Sequence, residues 1–172
     1  HGGSYGTSKI YPFSPKIEYN HFRFLSWGWK EQEDYQGNII PLSSPLLSKY
    51  KYKRKNNNVI FVSAGAVYFN IRILSTQSLD RIDYINSQIN FINNLNHQIF
   101  KYLIFRPWLI ENDKISLNNK KILKNLFPRL QLLEGNLHKH TMKCKLIIID
   151  NPDTTLNIAM SANIPTICFW DK

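Results

Sequence analysis

A chain of 172 residues with 43% hydrophobic and 13% aromatic content can bury one substantial core, so the expected count is one full domain plus a piece of a second. No apolar run approaches the ~20 residues that a membrane span needs and no basic-then-apolar leader opens the chain, which sets aside a transmembrane protein. The formal charge of +10 favours anionic partners, while two cysteines, Cys144 and Cys168, suit a reducing compartment better than a disulfide scaffold. A cytoplasmic chain is expected, peripheral at most to the inner face of the membrane.

The chain opens on His1-Gly2-Gly3-Ser4-Tyr5-Gly6 and, having no initial Met, is expected to begin inside a longer protein. Its glycines allow close approach of a substrate, and the imidazole of His1 could act there as a base or bond a sugar or phosphate. Phe22–Trp27 reads as a strand, and residues 1–45 as the end of a preceding domain. Pro41–Asn58, rich in Pro, Ser, Lys and Asn, reads as a connection whose basic part spans 46–58. Lys49, Lys51, Lys53, Arg54 and Lys55 in it are either a solvated linker or a patch for anionic lipid or nucleic acid. Aromatic and basic residues form no stacking platform on any one segment, so nucleic acid is not the expected partner.

From Val59 onward short apolar runs alternate with amphipathic ones, the pattern of a parallel sheet covered by helices on both faces. The predicted strands are Val59–Ser63, Tyr102–Phe105, Leu130–Leu133, Leu146–Ile149 and Thr166–Trp170. Most are continuous apolar runs, as strands buried on both faces require. A helix from Leu79 to Lys101, capped by Ser78, would place Ile82, Ile85, Ile89, Ile92 and Ile99 on the sheet. Further helices are predicted over Asn118–Leu126 and Asn136–Lys143, and from Asp153 to near Asn163, ahead of Pro165. The fold class is α/β, a Rossmann-like unit over 59–172.

The chemistry-bearing residues fall at the carboxyl ends of these strands. Ser63-Ala64-Gly65-Ala66 follows the first, where glycine lets a ligand or another backbone come close. Arg72 lies just beyond, and Arg106 ends the second strand, a guanidinium suited to clamp phosphate or carboxylate. Asp150-Asn151-Pro152-Asp153 leads from the fourth strand into Thr154 and Thr155, which can hold phosphate at a helix start. Equally, Asp153 or Thr154 merely caps that helix, and Asp150 or Asp153 would repel a phosphate set too close. Neither G-x-G-x-x-G nor G-x-x-x-x-G-K-[ST] occurs, against a dinucleotide dehydrogenase or P-loop NTPase. His138, His140 and Cys144 lack the second cluster of a structural zinc site, so no metal is expected.

In order and spacing, His1–Gly6, Phe24-Leu25-Ser26-Trp27-Gly28-Trp29, Phe105-Arg106-Pro107, Thr154-Thr155, and Asn163-Ile164-Pro165-Thr166 with Phe169-Trp170 resemble a family of bacterial transferases of surface-carbohydrate biosynthesis. That family looks like GT-B glycosyltransferases, whose C-terminal Rossmann-like domain holds a nucleotide-sugar while the N-terminal domain presents a glycan or lipid-linked acceptor. The resemblance implies no tightly bound cofactor, a catalytic His1 in a cleft loop with Gly2 and Gly3, and donor contacts from Ser63, Gly65, Arg72, Arg106, Thr154 and Thr155. The acid that GT-B donor domains often carry after the phosphate loop is missing from Leu156-Asn157-Ile158-Ala159-Met160, where Asn157 is the polar residue. Two other readings stay open, a non-catalytic Rossmann-like module and a basic nucleic-acid-binding domain.

Overall fold

The structure is a computed structural model and describes residues 23–26, 30, 38–67, 81–108, 116–152 and 154–169. Its core is a parallel sheet of β3 (Val59–Val62), β5 (Leu103–Arg106), β7 (Gln131–Leu132), β8 (Leu146–Ile149) and β9 (Thr166–Cys168). The spatial order is β7-β5-β3-β8-β9, with every pair parallel. Numbered by order along the chain, this is the 3-2-1-4-5 arrangement of the doubly wound Rossmann fold. Two small pairs lie outside it, β1 (Arg23–Ser26) with β2 (Asn38–Pro41) and the antiparallel β4 (Ala66–Val67) with β6 (Ser116–Leu117).

Period-2 alternation of the strands divides the core in two. Val59, Phe61, Leu103, Phe105 and Ile148 meet Ile85 and Ile92 of α1 (Arg81–Asn93) and Leu123 of α3 (Asn119–Leu126) on one face. Ile60, Val62, Ile147 and Ile149 meet Ala159 of α5 (Thr154–Ser161) and the flank of α4 (Leu137–Thr141) on the other. The rings of Phe61, Phe91, Phe105 and Phe169 add edge-on and stacked contacts at 5.1–5.8 Å within the first layer. Phe169, part of the family-like terminal motif, is therefore a packing residue here.

The long helix expected over Leu79–Lys101 is two. α1 stops at Asn93, the chain turns through Asn94-Leu95-Asn96, and Asn96 caps a separate α2 (His97–Phe100) by accepting from Gln98 N at 2.8 Å. Consecutive asparagines lower helix propensity and offer a competing cap, so the pattern breaks where they fall. Ile99, beyond the break, is 44% exposed; within α1 the inward stripe is Tyr84, Ile85, Gln88 and Ile92, which leaves Ile82 on the outer face at 68% exposure. Ser78 and Asp80 lie outside the described residues.

The other helix ends follow local chemistry. Asn118 and Asn136 cap α3 and α4 by accepting from the backbone N–H three residues on. α5 ends on Asn163, whose φ of 55° is the left-handed conformation that asparagine tolerates. Ile164 N then bonds Ala159 O at 2.9 Å and Asn163 N bonds Met160 O at 3.1 Å, the paired bonds of a Schellman stop. Asn163-Ile164-Pro165 thus terminates a helix and launches β9.

The basic stretch read as a linker carries a short 3-10 turn, Leu47–Lys49, and then lies along the second face. Lys53 N bonds Met142 O, Lys55 N bonds Lys143 O, and Tyr52 Oη donates to Cys144 O at 2.9 Å.

Candidate functional site

In a sheet of this order, the strand connections depart in opposite directions from β3 and β8, which leaves a crevice at their carboxyl ends. Val62, Ile149 and Arg106 share one register row there, so Ser63, Asp150 and Arg106 stand on the same edge. β3 separates β5 from β8, so Arg106 and Asp150 are two strand spacings apart, about 10 Å.

A buried polar network fills the β3–β8 junction. Asp150 Oδ1 accepts from Ala64 N at 3.0 Å, while Oδ2 accepts from Tyr84 Oη at 2.8 Å and from Gln88 Nε2 at 2.6 Å. Ser63 Oγ accepts from Gln88 Nε2 at 2.9 Å and from Gly65 N at 3.2 Å. With the Tyr84 proton committed to Asp150, the 2.9 Å contact between Ser63 Oγ and Tyr84 Oη has serine as donor. Gln88 Oε1 in turn accepts from Asn119 Nδ2 at 3.1 Å. Each proton thus has one direction, running from Ser63 to Tyr84 to Asp150. Asn119 Oδ1 is the buried side-chain atom left without a partner among the described residues.

Electrostatics agree with this wiring. Burial, reinforced by the neighbouring Asp150 charge, pushes the Tyr84 phenol well above its ordinary value, so it remains a donor. Burial also raises the Asp150 carboxyl, outweighing the opposing hydrogen bonds from Tyr84, Gln88 and Ala64. The carboxyl is thus bonded to α1, which packs on the sheet face opposite α5.

The expected site residues are distributed as follows. His1, Gly2, Gly3 and Arg72 lie outside the described residues, as do Trp27, Gly28, Trp29, Asp153 and Trp170. Ser63 is 4% exposed and engaged in the network. Gly65 has φ +75°, and a Cβ added to it would stand 2.7 Å from Trp108 Cβ; what approaches this glycine closely is a tryptophan side chain. The half-buried Arg106 donates Nη1 to Leu133 O at 3.0 Å. It has no other acceptor among the described residues. Exposed Thr154 and half-buried Thr155 begin α5 after β8, two strand positions along the same edge from Arg106, and Asn157 is half-buried one turn on. Asp150, Tyr84, Gln88 and Asn119 were not among the expected site residues. The available signal was a glutamine interrupting the isoleucine stripe of α1 four residues after a tyrosine, which places both on one face.

Among the described residues, no group of three or more His, Cys, Asp or Glu converges as metal ligands, and no helix is long and apolar enough to cross a membrane. The doubly wound parallel sheet, with a buried polar network at its switch point, defines a Rossmann-like α/β protein. The chain belongs to the LIC12162 family of transferases, whose model matches residues 1–172. Comparison with curated proteins and with solved structures gives no match.

Proposed function

We propose that this transferase takes a nucleotide-sugar as donor and passes the sugar to a glycan or lipid-linked acceptor of a bacterial surface polysaccharide or lipopolysaccharide, in the manner of a GT-B enzyme. One observation carries the reading: Arg106 ends β5 on the same edge from which α5 begins at Thr154-Thr155, beside the switch point between β3 and β8. A guanidinium and the N–H groups of a helix start are the chemistry that holds a nucleotide's phosphates. They would stabilise the charge that develops on the departing nucleotide, while a base removes the acceptor proton. Arg106, Thr154 and Thr155 are the donor contacts in this reading. Asp150 and Tyr84 are positioning residues that fix the Ser63–Gly65 turn, and no bound cofactor is needed. His1, with Gly2 and Gly3, remains the resemblance-based candidate for the acceptor side.

The test is calorimetry and thermal shift of the chain against CMP-, UDP-, GDP- and dTDP-sugars. A selective rise in melting temperature that Arg106→Ala removes, with the fold retained, is expected; equal affinity in that variant would remove Arg106 from the site.

A second reading, a non-catalytic Rossmann-like module, draws on one observation. Ala64 N and Gly65 N are bonded to Asp150 and Ser63 within the chain, so the first strand's turn, unlike a dinucleotide-binding one, spends these N–H groups internally. That reading predicts silence across the panel.

A further inference from the structure

The amino-terminal edge of the sheet, opposite the site, carries a different chemistry. Backbone bonds from Lys53 and Lys55 to Met142 and Lys143, and from Lys145 N to Asn58 O at 2.8 Å, lay the segment before β3 against the end of α4 and the start of β8. The fold thereby merges two groups of lysines that are far apart in the chain, Lys51, Lys53 and Lys55 with Lys139, Lys143 and Lys145. All six are exposed, and none makes an ion pair among the described residues. No Asp or Glu occurs between Lys49 and Asn58 or between Gly135 and Ile149, so neither strip supplies internal compensation. Exposed apolar side chains lie at the same end: Leu46 at 60% and Met160 at 68%. Leu46 adjoins the 3-10 turn that packs on α5, the helix bearing Met160.

We infer that this surface docks the protein on an anionic lipid bilayer. Lysines on exposed, backbone-anchored segments meet the headgroup charge, and Leu46 and Met160 reach the acyl boundary, the combination that holds a protein in the interfacial plane. Nucleic acid fits less well, because the aromatics of the segment face inward: Tyr50 packs on His138 at 4.9 Å and Tyr52 is tied to Cys144 O. Neither ring is presented for base stacking. The inference is independent of the donor-binding proposal, since it concerns the other end of the sheet.

The test is flotation of the full chain with vesicles of phosphatidylcholine alone or mixed with phosphatidylglycerol, alongside fluorescence anisotropy with a short single-stranded RNA. Binding to the mixed vesicles alone, falling as salt is raised, is expected. Lys51→Gln/Lys53→Gln/Lys55→Gln should weaken it by about a hundredfold, and Lys139→Gln/Lys143→Gln/Lys145→Gln comparably. Lys120→Gln/Lys121→Gln, at the start of α3 beside Asn119 and the carboxyl-edge network, should leave most of it. Circular dichroism melting establishes that each variant is folded. Absence of vesicle binding, equal loss in the control variant, or tighter binding of the RNA than of the vesicles at the same salt would overturn the inference.

Discussion

Asp150 concentrates the residue-scale energetics of the molecule. Its carboxyl takes three donors in a site where only 6% of the residue is exposed, so Asp150→Ala strands Tyr84, Gln88 and Ala64 N together. A loss of about 3 kcal/mol or more is expected in urea unfolding, since each orphaned buried group carries its own desolvation cost. The pH dependence has a definite sign. Because burial raises the folded-state pKa, the neutral acid contributes stability that is complete below the ordinary value near ~4 and lost as pH climbs through the raised one. The stability of wild type minus that of Asp150→Asn should therefore fall with rising pH across that window; a difference that grew instead would contradict the assignment. At Gly65, φ of +75° and the 2.7 Å clash with Trp108 combine, and Gly65→Ala should cost roughly 2–4 kcal/mol by the same measurement. The thiols are similarly governed by burial, which lifts Cys144 to about 11 and also raises Cys168. Iodoacetamide at neutral pH should label the folded chain slowly and the unfolded chain fast, with half-buried Cys168 reacting before Cys144.

At the scale of elements, capping decides where the helices begin. Asn96, Asn118 and Asn136 each accept a backbone N–H at a helix start, so Asn118→Ala should lower stability by about 1 kcal/mol, read from the urea midpoint. An unchanged midpoint would mean that packing of Leu123 alone holds α3. The same asparagines explain what was legible in the sequence. Single caps ahead of short apolar patterns located α3 and α4 well, and the sheet strands were matched to within two residues because most of their positions are apolar without alternation. The row Asn93-Asn94-Leu95-Asn96 defeated the helix prediction, since isoleucine spacing continues across it while the backbone does not. β4 and β6 were missed because two residues of ladder leave no periodicity to detect. The positions of Arg106 at a strand end and of a helix start at Thr154 were legible in the sequence. The Asp150–Tyr84–Gln88 network was not, because its partners lie far apart in the chain and meet only once β3, α1 and β8 are assembled.

For the whole molecule, the sheet order places Ser63, Arg106, Asp150 and the start of α5 at one end of the described sheet and the lysine-rich surface at the other. If the donor proposal holds, a nucleotide-sugar at a hundred times its Kd should stabilise the folded chain by about 2.7 kcal/mol, visible as a rise in melting temperature. The order of strands has a further consequence, for how the protein is made. β3 is the central strand, hydrogen-bonded to β5 on one side and to β8 on the other, yet it leaves the ribosome long before β8 does. At roughly 5–20 residues per second, the apolar Val59-Ile60-Phe61-Val62 spends seconds with one ladder open and one face uncovered. A nascent chain stalled after Cys144 should therefore recruit a holdase or aggregate, whereas one stalled beyond Phe169, with β8 and β9 emerged, should not.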